Sequence, residues 1–256
     1  MGRAIELAGV DKSFKTREGQ VDALSDVSFD VGEHEFVSIV GSSGCGKSTL
    51  LRIIAGLMHQ TAGAVKVGGV PVDGPNAGIG MVFQTPVLLP WRTVRRNIEL
   101  QIDIRRLDRR KYADEVTALI RLVGLQGFEK RHPYELSGGM QQRVALCRAL
   151  IHNPSMLLMD EPFGALDALT REQMNVELQR IWLETKKSVV LVTHSISEAV
   201  FLADRVIVMT PRPGTVQEIV PVDLGRPRTF EAMRSDVFLE ACDRVRQLMN
   251  ASSLTD

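Results

Sequence analysis

Residues 41–48 constrain most strongly what this chain can fold into. They match the pattern G-x-x-x-x-G-K-[ST] at every specified position. The mostly apolar run Phe36–Val40 precedes them, and apolar residues at helical spacing follow from Leu50 onward. An apolar strand, a glycine-rich loop and a helix, in this order, are the context in which the pattern binds phosphate. The sequence therefore predicts a nucleotide-binding loop between a buried strand and a helix.

Each residue type in this loop supplies one part of a phosphate site. Glycines let successive backbone N–H groups turn toward phosphate oxygens, and the N-terminus of the helix adds partial positive charge. Lys47 is expected to reach the β- and γ-phosphates and Ser48 to offer its hydroxyl to Mg²⁺, with Thr49 at the α-phosphate. The predicted nucleotide contacts are Gly41, Ser42, Ser43, Gly44, Cys45, Gly46, Lys47, Ser48 and Thr49.

Two adjacent carboxylates follow a second apolar run. Residues 156–159 are typical of a buried strand, and Asp160 and Glu161 come directly after them. Taken alone the pair means little, since strand ends often carry exposed acids. In a chain with a phosphate-binding loop, Asp160 is expected to hold Mg²⁺ through the ion's shell of waters. Glu161 is then placed to orient and polarise an attacking water.

Alternating strand and helix patterns predict an α/β fold with parallel strands. Residues 189–192 and 206–209 are further apolar runs typical of buried strands, and residues 27–31 alternate like a half-buried strand. One helix is predicted to end at Gly124, because five apolar or aromatic residues before it recur at helical spacing. These are Tyr112, Val116, Leu119, Ile120 and Val123.

Charge and hydropathy argue against several classes of protein. The 31 Lys and Arg residues balance 31 Asp and Glu residues, so the formal net charge is zero. A dedicated nucleic-acid binder would need clustered cations, and we expect no nucleic-acid partner. No apolar run is long enough to span a bilayer, and the first residues lack the apolar stretch of a signal peptide. Together with three cysteines that lack metal-ligand spacing, this favours a cytoplasmic chain.

The stretch 136–143, Leu-Ser-Gly-Gly-Met-Gln-Gln-Arg, narrows the choice among phosphate-binding proteins. With the loop at 41–48 and the acids at 160–161, it resembles the nucleotide-binding subunit of ATP-binding cassette (ABC) transporters. The resemblance implies an α/β P-loop NTPase fold with a RecA-like parallel-sheet core and an N-terminal antiparallel β subdomain. It assigns residues 1–225 to the ABC ATPase domain, with an inserted helical subdomain at about 88–154, and residues 226–256 to a helical tail packed on the core.

The resemblance assigns roles to residues outside the two motifs. Phe14 matches the aromatic residue that stacks on adenine, although the family usually has Tyr there. Gln84 matches the glutamine that senses Mg²⁺ and the attacking water, and Asp167 the loop that crosses the dimer interface. His194 matches the switch histidine at the γ-phosphate, whereas an isolated histidine would more often be structural. The resemblance thus implies ATP and Mg²⁺, with catalytic residues Glu161, His194, Lys47 and Gln84 and metal ligands Ser48, Gln84 and Asp160.

Ser137, Gly138 and Gly139 form a second anion-binding element at a predicted helix start. In the family this element caps the γ-phosphate of ATP bound by the other protomer. One chain therefore holds two half-sites, and the resemblance implies a homodimer of cassettes with ATP sandwiched between them. It also implies integral-membrane permease subunits, an indirect link to a solute-binding protein, and a peripheral position on the cytoplasmic face of the inner membrane.

The stretch 136–143 is the signature of the family. Met140 stands where the commonest form of this signature has Gln, and the Met form resembles that of the branch of importers for nitrate, sulfonates and taurine. Residues 88–91 and 209–214 resemble the same branch. An importer ATPase for another small organic solute, such as a thiamine precursor, stays an alternative.

A non-transport ABC ATPase is also an alternative. Relatives that act on DNA ends insert long coiled coils between the halves of the cassette, whereas the stretch between Gln84 and Ser137 is short and shows no heptads. Translation-associated cassette proteins normally carry two cassettes in one chain. A P-loop kinase would leave the element at 137–139 and His194 unexplained.

Overall fold

The structure, a computed structural model, describes residues 2–17 and 19–253, and this part contains ten strands and eight α-helices. The strands are β1 (Arg3–Thr16), β2 (Gly19–Gly32), β3 (Phe36–Val40), β4 (Ala62–Val67), β5 (Val70–Pro71), β6 (Ile79–Val82), β7 (Met156–Asp160), β8 (Ser188–Val192), β9 (Arg205–Met209) and β10 (Val216–Pro221). The helices are α1 (Lys47–Ile54), α2 (Val94–Ile98), α3 (Leu100–Ile104), α4 (Ala113–Leu122), α5 (Gly138–Leu150), α6 (Ala168–Thr185), α7 (Ile196–Leu202) and α8 (Asp236–Ser253). Short 3₁₀ helices occupy Arg109–Tyr112, Pro133–Glu135 and Phe230–Arg234.

The chain forms two compact units. The first comprises Met1–Asn76 and Lys186–Asp256, and the second comprises Ala77–Thr185. The first unit holds an antiparallel sheet of order β2-β1-β4-β5 and four strands of order β10-β9-β3-β8. In the latter, β3 pairs in parallel with both β8 and β9. The predicted α/β class with parallel strands is confirmed.

The strands β3 and β8 have all five of their residues buried, which explains why both are mostly continuous apolar runs. The strands β1 and β2 are different, because each is 14 residues long and only half-buried. The alternation at 27–31 is therefore one end of a much longer strand. Several register shifts between β1 and β2 interrupt the alternation, and this is why the sequence pattern shows only part of it.

Helices cover the strands of the first unit. The helix α7 packs on β3, and α8 packs on α7, β9 and β10. Four residues of α8 at helical spacing are buried, namely Phe238, Cys242, Val245 and Leu248. No helix in the described part of the chain is both long enough and apolar enough to cross a membrane.

The second unit is arranged around α5. This helix packs on β6 and on α2, α3 and α4, and residues on most of its circumference are buried. The strands β6 and β7 pair in parallel. The helix α4 buries Val116, Leu119 and Ile120, and Gly124 follows its end with a φ of +65°, as the helical spacing predicts.

Arg228 is a buried cation that holds the end of α7 in the first unit. Its side chain is almost fully buried, and Nη1 donates hydrogen bonds to the carbonyls of Val200, Phe201 and Ala203 at 2.8–2.9 Å. The last carbonyls of a helix lack partners within the helix and carry partial negative charge, so a guanidinium there is stabilising. The segment before α8 is thereby fixed to the C-terminus of α7.

Replacing Arg228 with Ala should lower the free energy of unfolding by about 2–4 kcal/mol, because several buried carbonyls lose a charged donor. Urea denaturation measures this change. The control is Arg244→Ala, which removes an exposed ion pair with Glu218 and should cost less than about 1 kcal/mol. Equal losses in the two variants would contradict the role given to Arg228.

Candidate functional site

The loop between β3 and α1 has no room for side chains at two of its glycines. Gly46 has a φ of +103°, and a Cβ there would lie 2.6 Å from Leu24 Cδ2 and 2.8 Å from the Ala23 carbonyl. A Cβ at Gly41 would lie 2.9 Å from Cys45 Sγ and 3.0 Å from the Met209 carbonyl. The pattern thus requires glycine at both positions because β2 and β9 press on the loop.

Lys47 begins α1 and folds back over this loop. Its Nζ donates to the carbonyls of Gly41 at 2.9 Å and Ser42 at 2.8 Å, and the side chain is 6% exposed. Cys45 is fully buried, with Sγ 3.8 Å from the same Nζ. The arrangement places an ammonium among backbone groups at the N-terminus of a helix, which is an environment for polyphosphate.

Phe14 lies near the end of β1 with one face of its ring covered by a cation. The Nζ of Lys12 is 5.1 Å from the ring centroid and also donates to the His59 carbonyl at 2.7 Å. The ring is half-buried and forms a cation–π contact with Lys12.

His194 follows β8 in the first unit and is exposed. The start of α7 beside it is fixed by hydrogen bonds: Ser195 Oγ accepts from the Glu198 N–H at 3.3 Å, and the Ser195 N–H donates to Thr193 Oγ1 at 3.0 Å. The Thr193 hydroxyl also contacts the Glu198 carboxylate. The backbone on both sides of His194 is therefore held in place.

The two predicted acids lie where β7 ends in the second unit. Asp160 is the last residue of the strand, and Glu161 adopts a φ of +45°. A left-handed conformation costs a residue with a Cβ about 1–2 kcal/mol. The sequence predicted the position of Glu161 but gave no sign of this backbone conformation.

Gln84 and Glu161 come together in the second unit. The Gln84 Nε2 donates to Glu161 Oε2 at 3.4 Å. A Cβ built on Gly164 would lie 3.4 Å from Gln84 Nε2 and 3.6 Å from Glu161 Oε2, so these three residues form one cluster. An amide beside a carboxylate can fix the orientation of that carboxylate without neutralising its charge.

Ser137 is the N-cap of α5, and its Oγ accepts the Met140 N–H at 3.3 Å. Ser137 and Gly138 are exposed, whereas Gly139 is buried and a Cβ there would lie 3.2 Å from Thr170 Cγ2. The start of α5 thus exposes Ser137 and Gly138 at the surface of this unit.

Asp167 precedes α6 and is exposed. Its Oδ1 accepts the Thr170 N–H at 3.0 Å, and hydrogen bonds from Thr170 lower the pKa of the Asp167 carboxyl. Asp167 is therefore a charged cap at the start of α6.

Within the first unit the structure groups residues 41–49 in one loop and helix start, with Phe14 on β1 and His194 after β8. Within the second it joins Gln84 to Glu161 and places Ser137 and Asp167 at the starts of α5 and α6.

Gln142 is a buried residue to which the sequence motifs give no role. It is 3% exposed, and its Nε2 donates to the carbonyls of Phe83 and Pro162. These two residues neighbour Gln84 and Glu161. The sequence does show that Gln142 stands three positions after Gly139, a spacing that places both residues on the same face of a helix.

The ABC transporter family model matches residues 24–164, which is more than half of the chain. The chain belongs to the ABC transporter family. It is similar to the taurine import ATP-binding protein TauB of Pelagibacter ubique, with 48% identity over 80% of this chain and 78% of that protein. It is 42% identical to the nitrate import ATP-binding protein NrtD of Synechocystis, over 96% of this chain and 94% of that protein. The aliphatic sulfonates import ATP-binding protein SsuB of Bacillus licheniformis is 44% identical, over 90% of this chain and 91% of that protein.

The structure is also similar to a solved cassette. The dimeric structure of a post-hydrolysis state of the ATP-binding cassette MJ0796, bound to ADP and Pi, matches with a TM-score of 0.75 and 33% identity. The match covers 86% of this chain and 100% of that one. The predicted ABC cassette fold is thus confirmed. The chain is an ATPase that binds ATP and uses Mg²⁺.

The predicted metal ligands have the chemistry that Mg²⁺ requires. Ser48, Gln84 and Asp160 offer hydroxyl, amide and carboxylate oxygens, which are hard ligands. The part of the chain that the structure describes contains no group of three or more His, Cys, Asp or Glu side chains able to hold a metal. Oxygen ligands of these kinds suit an ion that keeps several waters and shares substrate phosphates.

Replacing Gly46 with Ala should abolish ATP binding, because the Cβ would meet the Ala23 carbonyl and Leu24 and force the loop open. We expect an affinity loss of at least about 100-fold, or about 3 kcal/mol, measured by titration with a fluorescent ATP analogue. The control is Gly69→Ala, which also has a positive φ (+77°) but has no atom within 4 Å of its Cβ. Binding of ATP by Gly46→Ala at the level of the unchanged chain would contradict the steric argument.

Proposed function

We propose that this chain is the ATP-hydrolysing subunit of an importer for a small anionic or zwitterionic solute of the nitrate, sulfonate or taurine type. The observation that carries the proposal is its identity of 42–48%, over most of both chains, to three proteins named as import ATP-binding proteins for these solutes. The Met140 variant of the signature supports the same branch.

In the proposed reaction, Lys47 binds the β- and γ-phosphates. Its Nζ contacts two loop carbonyls, and phosphate oxygens are stronger acceptors that carry full charge, so the ammonium exchanges neutral partners for charged ones. Residues 41–46 offer backbone N–H groups and Thr49 lies at the α-phosphate. Phe14 stacks on adenine.

Hydrolysis in this proposal depends on Glu161. The carboxylate orients and polarises the attacking water, and Gln84, 3.4 Å away, holds the carboxylate in line. His194 hydrogen-bonds the γ-phosphate and stabilises the charge that spreads over the transferring group. Mg²⁺, held by Ser48, Gln84 and Asp160, would neutralise phosphate charge when bound.

We propose that the working unit is a homodimer with ATP between the two cassettes. Ser137 and Gly138 are exposed at the start of α5, where N–H groups and a hydroxyl are suited to a γ-phosphate held by the partner chain. Asp167, kept charged by Thr170, acts at the same interface. The dimeric form of the MJ0796 cassette supports this assembly.

The proposal places the chain at the cytoplasmic face of the inner membrane, as a peripheral subunit on integral-membrane permease subunits. A solute-binding protein delivers the solute to the permease and contacts this chain only indirectly. Closure and reopening of the cassette dimer then supply the motion that drives import.

Replacing Glu161 with Gln should reduce ATP hydrolysis at least about 100-fold, because the amide cannot polarise water as a carboxylate does. ATP binding should persist, so the variant should accumulate as a dimer at saturating ATP. Phosphate release and size-exclusion chromatography measure the two effects. The matched control is Glu172→Gln, which changes an exposed acid of α6 in the same way and should leave both unchanged. A Glu161→Gln chain that stayed monomeric with ATP would contradict the sandwich.

Copurification with its membrane partners tests the import function. We expect the complex, placed in proteoliposomes with its solute-binding protein, to hydrolyse ATP faster when taurine, an aliphatic sulfonate or nitrate is present. Lys47→Ala should remove this stimulation. Stimulation by a thiamine precursor alone would contradict the proposed solute class while leaving the ATPase assignment intact.

A further inference from the structure

We propose that Gln142 is a positioning residue for the hydrolytic pair Gln84 and Glu161, acting through the backbone next to each. The inference rests on the proposed role of Glu161. It gives the buried face of α5 a role in aligning the attacking water.

The geometry begins with one side-chain amide. Gln142 Nε2 lies 3.1 Å from the Phe83 carbonyl and 3.4 Å from the Gln84 carbonyl, and it also donates to the Pro162 carbonyl. The side chain is 3% exposed. Within the described part of the chain its Oε1 has no hydrogen-bond partner, so the donor nitrogen alone sets the orientation of the amide.

The carbonyls that accept hydrogen bonds from Gln142 belong to the segments that follow two neighbouring strands. The strands β6 and β7 are parallel, with Val82 opposite Met159. Phe83 and Gln84 follow β6, and Pro162 comes two residues after β7 ends. A single amide therefore fixes the distance between the segment after β6 and the segment after β7. That distance decides whether the Gln84 and Glu161 side chains meet.

A second side chain of α5 holds the same loop further along. Arg148 donates to the carbonyls of Pro86 at 2.7 Å and Val87 at 2.8 Å. Gln142 and Arg148 together attach the loop after β6 to α5 at two points. Because α5 begins at the Ser137 cap, this one helix connects the element at 137–139 to the loop that carries Gln84.

A neutral amide is well suited to this position. Glu161 must stay charged to polarise water, and a cation at position 142 would add a competing charge near it. An apolar side chain of the same size would fill the space but leave the three carbonyls without this donor. The chemistry thus explains why a polar residue occupies the buried face of α5.

The test is Gln142→Met, which keeps length and volume but removes both N–H donors. Steady-state ATP hydrolysis by the full chain, well below its melting temperature, should show kcat reduced about tenfold to hundredfold by misalignment of Glu161. The KM for ATP should change less than about threefold, because residues 41–49 are untouched. Gln142→Asn, whose amide is one methylene shorter, should lose activity in the same direction and serves as the test if Gln142→Met fails to fold.

The matched control is Asn97→Leu. Asn97 is fully buried, and its Nδ2 donates to three backbone carbonyls, those of Leu89, Arg92 and Thr93, at the start of α2. This variant should lower the melting temperature while keeping kcat within about twofold of the unchanged chain. If Asn97→Leu lowers kcat as much as Gln142→Met does, the effect is general loss of packing and the inference is wrong.

Two further outcomes separate this inference from the proposed function. If Gln142→Met and Gln142→Asn both hydrolyse ATP normally while Glu161→Gln is inactive, the role of Glu161 stands and the role of Gln142 is wrong. If Glu161→Gln is itself fully active, the proposed role of Glu161 is wrong and the inference falls with it.

Discussion

The proposed nucleotide site depends on a backbone that must approach an anion closely. At Gly41 and Gly46 the neighbouring strands leave no space for a Cβ, so the loop after β3 is shaped from outside as much as by its own residues. The ammonium of Lys47 then holds that shape through two carbonyls. In the proposed site, ATP affinity therefore depends on the β2 and β9 contacts that surround the loop, and so on the packing of the first unit.

Buried apolar strands were predictable from the sequence almost to the residue. The strands β3 and β8 are covered on both faces, and continuous apolar runs follow directly from that environment. The half-buried strands β1 and β2 were predictable only in part, because register shifts and exposed polar residues interrupt their alternation. Helix α4 was predictable because one apolar face and a following glycine mark its extent.

The placement of a residue was predictable where a motif fixes both residue type and spacing. Lys47 and Ser137 lie at helix starts and Glu161 follows a strand, as the motifs predict. The contact between Gln84 and Glu161 was not predictable, because it arises from the packing of separate strands. Nothing in the sequence marks the left-handed backbone at Glu161. Gln142 and Arg228 were missed for one physical reason: polar side chains are ordinarily exposed, and only tertiary structure shows that backbone carbonyls surround these two.

The cap at the start of α5 also determines whether the Ser137 hydroxyl can donate a hydrogen bond. Ser137 Oγ accepts the Met140 N–H through a lone pair, so its own hydrogen is free to be directed outward. Aspartate caps helices as well as serine does, and helix stability alone would accept either residue. In the proposed dimer, however, aspartate would meet the γ-phosphate with negative charge. The need for serine at this position would then be a need for a hydrogen-bond donor at the surface, and the helix would fold just as well without one.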